Sequence, residues 1–555
     1  MTITLNSVEN TTNTPELQQT WDEEREYILQ LEKRYSAVFS ALPIAADDSD
    51  VKRLIEAMAL FVAASRVTGK QALEALYLRV FRQLLSYLAC PISSMGLVQV
   101  DMRGLKEATL LAEKTVLSLK SQEGDQGIYR TCYPMPLHPL YLERIGRKTP
   151  GTGSCSIVIE LTASMSAPGN ITHLPIYLDI HKNISLSLSL KQWLATQLHS
   201  VSLEIDGKVF KGQFQLGYIS PQLSDPVCSC AGQSYSHPIE RERKFFQLPQ
   251  QENYLNLYFD KTPEQWQSAL ITLEVNGDWP KEIPMGNDMF QLGVVAIENA
   301  MDSPAEVISY DGTQSRIPIT APTIADKLQL NHVLSVYQVG ELSTKAMQAG
   351  ILGEQSDAYE ICEGRNGAPL LALNLPQAFD SPVNIEVNGC WYQPDFSQVL
   401  WKKLTPRTLY MAIPGASFVI FGSLVAHKSA KELSSQNLLD ISALKNKSFL
   451  SLSELLFILD SMGSVFLREY MEVRALLKGL TVDQVLDSNS SGGTLQTSQS
   501  ALQYHFELTE VEGNQQYLLS SFMQHLEVIL NAWVSGGRVS ISYGTALAMQ
   551  YDEAS

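Results

Sequence analysis

The sequence predicts a multidomain α+β protein: an N-terminal helical bundle, mostly antiparallel β domains with helical insertions, and a mixed α/β C-terminal domain. Three observations predict it. Apolar residues recur at helical spacing up to about residue 120, change to a period of two from about Ile128, and return to helical spacing beside alternating segments after Leu452. At 555 residues the chain exceeds what one hydrophobic core serves, and the pattern divides it at 1–125, 126–330, 331–445 and 446–555.

The first helix follows from Trp21, Ile28, Leu31, Tyr35, Val38 and Leu42, a narrow apolar seam with Glu23, Glu24, Glu26, Glu32, Lys33 and Arg34 mostly on the wet side. Two further helical segments fill Asp48–Leu88. Asp48, Ser49 and Asp50 offer N-caps to a stripe of Val51, Leu54, Ile55, Met58, Phe61 and Val62. A second stripe holds Leu73, Leu76, Tyr77, Val80, Leu84 and Leu88, and Pro91 stops it. Each helix has an apolar face that needs a partner, and periodicity leaves open whether that partner lies in this chain or in another.

The β region is read from alternation at Ile157–Leu161, Leu174–Ile180 and Ile184–Leu190. Further strands are expected at Tyr254–Phe259, Leu270–Val275, Phe290–Ile297, Val383–Val387, Leu409–Ile413 and Phe418–Leu424. Short helices are expected at Lys191–His199 and Ala430–Leu439. Asp206-Gly207 and Asn276-Gly277 sit where hairpin turns want positive φ. A domain break is expected near residue 330. After helices in Leu452–Leu477, the small polar segment Asp487–Ser500 reads as a loop or linker. A strand at Tyr504–Leu508, a helix with Leu518, Phe522, His525, Ile529 and Trp533 on one face, and a strand through Val539, Ile541 and Tyr543 complete the chain.

Composition narrows the function. A net charge of −18 repels phosphate backbones and anionic lipid, so nucleic acid is not an expected partner. Seven cysteines form no disulfide framework. The N-terminus has neither a basic start nor an apolar core, so no signal peptide is read there. The longest uncharged apolar run, Met411–Ala426, is broken by Pro414 and two glycines and is too short to span a bilayer. A cytoplasmic protein without membrane insertion is the expectation.

The search for catalytic motifs is negative: the chain has no phosphate loop, dinucleotide fingerprint, H-E-x-x-H or G-x-S-x-G elbow. Cys228 and Cys230 with His237 lack the second cysteine pair that structural zinc uses. His173 and His181 read as partly exposed strand-end residues, and His525 as a core or interface histidine with one hydrogen bond. No metal, cofactor or catalytic residue is assigned.

An ordered series of segments resembles one family. Asp22–Phe39 is similar to its opening helix, and Asp48–Leu60 to its Asp-Pro-Asp-Val-Glu-Arg-Leu-Leu-Glu segment. Leu85–Leu88, Pro91–Met95 and Val98-Gln99 resemble its Tyr-Leu, Pro-Ile-Pro-Ser-Met and Val-Gln run. Thr131-Cys132-Tyr133 with His138-Pro139-Leu140, Phe245–Pro249 with Leu257–Phe259, and Gln291–Asn299 with Pro304 keep the order of its later landmarks. The family is TssF, also called VasA or ImpG, the baseplate wedge family of the bacterial type VI secretion system. Ser49 and Ser93 stand where that family usually has proline, and Ala300-Met301 replaces its Leu-Phe pair.

The resemblance implies a structural subunit, not an enzyme. Two TssF copies and one TssG would form a wedge, TssK would attach it to the membrane complex, and TssE would link it to the sheath. Six wedges would surround the VgrG spike of an inner-membrane-docked baseplate that supports assembly and firing of the contractile tail. The N-terminal helices would form a bundle shared with TssG, burying Ile28, Leu31, Tyr35, Val38, Leu54, Ile55, Met58 and Phe61. Residues 446–555 would make the contacts between wedges. The alternatives are a baseplate subunit of a phage-like contractile particle with no membrane anchor, and an unrecognised cytoplasmic enzyme, which would need a pocket with convergent polar groups.

Overall fold

The computed structural model describes residues 15–38, 49–151, 154–165, 168–220, 237–277, 279–281, 283–324, 327–340, 343–350, 357–364, 368–379, 381–399, 403–428, 435–445, 447–462, 468–486, 500–511 and 515–545. They form two units, one of Met1–Leu84 with Leu433–Ser442, the other of Leu85–Glu432 with Ala443–Ser555.

The first unit is built on α1 (Pro15–Val38) and α2 (Ser49–Leu84). Sequence periodicity divided the second stretch into two helices, whereas α2 runs unbroken for 36 residues, roughly 54 Å. Gly69 lies inside it: a mid-helix glycine costs only about 1 kcal/mol relative to alanine, and no proline interrupts the ladder. The helical region ends with the short α3 (Ser86–Ala89), not near residue 120.

After α3 the second unit turns to β-structure. A six-stranded sheet has the spatial order β24 (Leu404–Thr408), β3 (Val116–Ser121), β4 (Gln126–Thr131), β14 (Val294–Glu298), β1 (Met95–Asp101) and β25 (Ser417–Val425). An eight-stranded sheet runs β13 (Phe290–Gln291), β8 (His173–Leu178), β11 (Tyr254–Phe259), β10 (Lys208–Gly217), β9 (Leu198–Ile205), β12 (Ser268–Asn276), β7 (Ser154–Ala163) and β6 (Leu140–Gly151). β2 (Thr109–Leu111) pairs with β5 (Met135–Leu137).

A third sheet orders β15 (Met301–Pro304), β23 (Val383–Tyr392), β18 (Gln329–Val339) and β19 (Thr344–Ala346), with β16 (Ile308–Tyr310) also on β23. A fourth orders β17 (Ile317–Pro318), β22 (Pro369–Asn374), β21 (Ala358–Glu363) and β20 (Gln348–Ala349). The third sheet begins at Met301 and ends at Tyr392, so it crosses the break expected near 330. The last sheet is β26 (Leu477–Leu486), β27 (Ser500–Leu508) and β28 (Arg538–Thr545), with β27 and β28 parallel.

Helices α4 (Ile184–Gln197), α5 (Pro238–Gln247), α6 (Ser435–Leu444), α7 (Leu452–Ser461), α8 (Arg468–Arg474) and α9 (Gln516–Trp533) complete the described elements. The β9–β10 hairpin turns on Asp206-Gly207, with φ of 50° and 78°, as the turn chemistry predicts. Ser451 and Glu454 form a capping box at the start of α7.

Three local readings fail for physical reasons. Ile184–Leu190 is helix, not strand: Asn183 caps it by accepting from Leu186 N, and Ser187 hides its hydroxyl by donating to the Asn183 carbonyl. Leucine and serine then alternate because the helix is buried on several sides, from Ser187 to Lys191. Phe290–Ile297 splits at Gly293 (φ 69°), where a Cβ would lie 2.5 Å from the Val100 carbonyl oxygen. Leu409–Ile413 is an exposed connection, and the strand precedes it as β24. Cys228, Cys230 and nearly all of Asp487–Ser500 lie outside the described residues.

Candidate protein interface

In the first unit α1 meets α2 through Leu17 and Trp21 on one side and Ala63, Ala64 and Val67 on the other. The Trp21 indole donates to the Glu56 carbonyl at 3.3 Å, and Arg66 pairs with Glu24 at 2.6 Å. Small residues at 59, 63 and 64 let the two backbones approach, and Ala59 and Ala63 are fully buried.

A helix advances 100° per residue, so Leu54, Met58 and Phe61 form a stripe roughly opposite Ala59, Ala63 and Val67. That stripe faces away from α1 and is open: Leu54 is 61%, Met58 53% and Phe61 74% exposed. Leu31 of α1 is also exposed, while Ile28 and Ile55 are half-buried. Tyr35 and Val38 belong to α1, but their side chains lie outside the described residues. Leu73, Leu76 and Leu84 add exposed apolar surface further along α2. Together they leave an open apolar stripe along α2.

The second unit is braced by α5, whose charged sequence reads as a solvated face. Glu242, Arg243, Phe245, Phe246 and Gln247 are all buried. Arg243 donates to the carbonyls of Met462, at 3.0 Å, and Tyr87. Lys244 reaches Glu298 of β14 at 3.0 Å, and Gln247 donates to the Ala426 carbonyl. Glu298 also pairs with Arg130 of β4 at 2.7 Å, and Arg130 with Asp302 of β15 at 2.6 Å. Burial opposes the charge on Glu298, but Lys244 and Arg130 outweigh it and hold its carboxyl well below the usual range.

From the other side of α5, Glu242 accepts from His525 Nδ1 of α9 at 2.6 Å, while His525 Nε2 lies 3.3 Å from Glu252. Lys191 of α4 reaches the same Glu252 at 3.0 Å, and Phe245 stacks on the imidazole. Burial works against a charged imidazole here, yet the two carboxylates outweigh it and raise the His525 pKa to about 9. His525 is thus a core histidine, as its helical face predicts, but with two acidic partners instead of one hydrogen bond. His173 is buried instead of partly exposed; it pairs with Asn256 at 3.1 Å and stacks on Tyr258. Burial lowers its pKa to about 4, so it stays neutral.

Among the described residues no three His, Cys, Asp or Glu side chains are placed to hold a metal ion, and no helix is long and apolar enough to cross a membrane. The model of the type VI secretion system TssF family matches residues 25–351, more than half of the chain. The chain belongs to that family. The matched span takes in most of α1, all of α2 and α5, and the Arg130–Glu298 pair.

Solved TssF-type assemblies share the fold. A chain of the type VI secretion system TssK-TssF-TssG baseplate subcomplex, solved by cryo-electron microscopy, superimposes with a TM-score of 0.69 at 14% identity, covering 90% of this chain and 97% of its own. A chain of the type VI secretion baseplate complex gives 0.56 at 12% identity, covering 95% and 96%. No curated protein matches the chain significantly.

Proposed function

We propose that this TssF-family chain works as a structural subunit of the type VI secretion baseplate wedge, with the open face of α1 and α2 as its joint to TssG. The carrying observation is the stripe of Leu54, Met58 and Phe61, turned away from the contacts that Leu17 and Trp21 of α1 make. Ile28, Leu31, Tyr35, Val38 and Ile55 complete the bundle positions. A shared bundle supplies what the helices lack alone: burying a large apolar side chain fully stabilises by roughly 1.5–3 kcal/mol, so two or three decide whether the wedge holds together.

In this reading the wedge holds two copies of the chain to one TssG, with TssK connecting it to the membrane complex, TssE to the sheath and the assembled ring to the VgrG spike. It sits on the cytoplasmic side at the inner-membrane-docked baseplate. Residues 446–555 join neighbouring wedges. The relatives in solved TssK-TssF-TssG assemblies support the partners TssG and TssK. The stiff frame around α5 suits a part that transmits force without consuming substrate.

The test is co-purification with TssG after Leu31→Asp and Met58→Asp are introduced together. Loss of TssG with the β-rich unit still folded is expected. Undiminished co-purification would return the helices to an internal role.

A further inference from the structure

We propose that the outer edge of β28 joins two copies of this chain: β28 of one copy pairs antiparallel with β28 of a second about a twofold axis at Ser542, making one continuous sheet of two. This names the strand and the partner for residues 446–555, and it rests on the reading that this region joins neighbouring wedges. β28 is an end strand that pairs with β27 alone, in parallel, with unbroken register from Arg538 to Thr545. Its main neighbours among the described elements are β27 and α9.

Asn531 of α9 reveals which way the backbone of β28 points. Its Oδ1 accepts from the Val539 N–H at 2.9 Å and its Nδ2 donates to the Val539 carbonyl at 3.0 Å, as a neighbouring strand would. Those two groups therefore face away from β27. Direction alternates along a strand, so the N–H and C=O of Ile541 and Tyr543 face outward too. Neither residue has a hydrogen-bond partner on that side among the described residues. Proteins ordinarily guard such an edge with lysine, proline or a bulge. β26, at the other end of the sheet, carries Lys478 and Asp483 and shifts register between Leu477 and Gly479. Residues 539–544, Val-Ser-Ile-Ser-Tyr-Gly, carry no charge and no proline, and Tyr543 is 40% exposed.

Spacing and charge select a second copy as the occupant. With Ser542 on the axis, Ile541 of each strand stands opposite Tyr543 of the other. Each such pair exchanges two hydrogen bonds, which uses every outward donor and acceptor of both residues and sets a β-branched side chain against an aromatic one. The next rung, Val539 against Thr545, is closed because Asn531 already holds Val539. Copies of a chain with net charge −18 repel one another, and residues 539–544 bring no charge to the contact. A joint this short is weak alone and gains strength when it is repeated around a ring.

The experiment oxidises the full chain carrying Ser542→Cys or, separately, Ser540→Cys, with the original chain as the baseline for its own cysteines. Disulfide-linked pairs are read by non-reducing electrophoresis and peptide mass spectrometry. The proposed register puts the two 542 positions about 4.5 Å apart at Cα, within disulfide reach. It puts the two 540 positions about 14 Å apart. Ser542→Cys should therefore cross-link at least about ten-fold more than Ser540→Cys, although Ser540 is the more exposed. Adding Tyr543→Pro, which removes an outward N–H and none that faces β27, should abolish the cross-link with the circular dichroism unchanged. Equal cross-linking at 540 and 542, or a cross-link at 542 indifferent to the proline, would overturn the proposal. Co-expression with TssG separates it from the reading it rests on. Wedges that still join in Tyr543→Pro, once the cross-link is lost, would keep the strand pair and refute this region as the wedge junction. Wedges that fail to join in Tyr543→Pro, with no cross-link at 542 in the parent, would keep the junction and overturn the second copy's strand as the occupant.

Discussion

Replacing His525 by Gln removes the cation that Glu242 and Glu252 share, and the structure fixes what this should do. Around the imidazole stand Glu242 with Arg241 on α5, Glu252 on the turn after it, and Lys191 on α4. The His525 pKa rises from 6.5 to about 9 in the folded chain, equivalent to about 3 kcal/mol of preference for the protonated form. Because the folded value lies above the unfolded one, this stabilisation is complete below about pH 6.5 and disappears as pH rises through 9. At pH 7 most of it remains, and by pH 10 almost none.

The assay is denaturant unfolding of the original chain and of His525→Gln from pH 6 to pH 10, with ring-15N histidine labelling to follow the imidazole itself. The difference between the two proteins should be about 3 kcal/mol or more at pH 6, since one of two close buried carboxylates loses its counter-charge. It should shrink steadily toward pH 10. Curves that stay parallel across the range, or an imidazole midpoint below 7, would refute the reasoning.

Other consequences are as direct. Met58→Asp with Phe61→Asp should leave the melting temperature nearly unchanged, because both side chains are already exposed, yet weaken TssG binding by about 3 kcal/mol, or some hundred-fold, in a titration. Ala63→Leu acts in the opposite sense: it overfills the α1–α2 contact and should cost about 1–3 kcal/mol of helical stability, read by thermal circular dichroism. Arg130→Met leaves Glu298 and Asp302 short of a cation and should destabilise the β-rich unit by about 3–5 kcal/mol in urea. The depressed Glu298 carboxyl contributes stability above its unfolded pKa that is lost as pH falls, so the original chain should lose its advantage over Glu298→Gln on acidification.

What was legible in the sequence was what is decided locally. Tyr254–Phe259 and the Asp206-Gly207 turn follow from alternation and from positive φ, and both sit where the pattern places them. The helix through Leu518, Phe522 and His525 is read from one face. Ile184–Leu190 failed because a leucine-serine alternation fits a half-buried strand and a deeply buried helix equally, and only packing on neighbours decides between them.

The exposed stripe on α2 was readable as an apolar face, but periodicity has no term for whether α1 covers it. The role of α5 was hidden most completely. Its Glu-Arg-Glu-Arg-Lys run looks like a wet surface, and its partners Glu298, Met462 and His525 lie 54 to 283 residues away. Its aromatic pair, Phe245 and Phe246, was the available signal, since two adjacent aromatics cover both sides of a short helix and leave little of it for solvent.

The most direct test of the central claim is the mass of the complex purified after co-expressing the chain with the TssG-like protein of the same secretion system. The account predicts a stable assembly of two copies of this chain with one TssG that dissociates when Met58 and Phe61 become aspartate. A chain that purifies as a monomer with TssG present, or a complex indifferent to those substitutions, would contradict it.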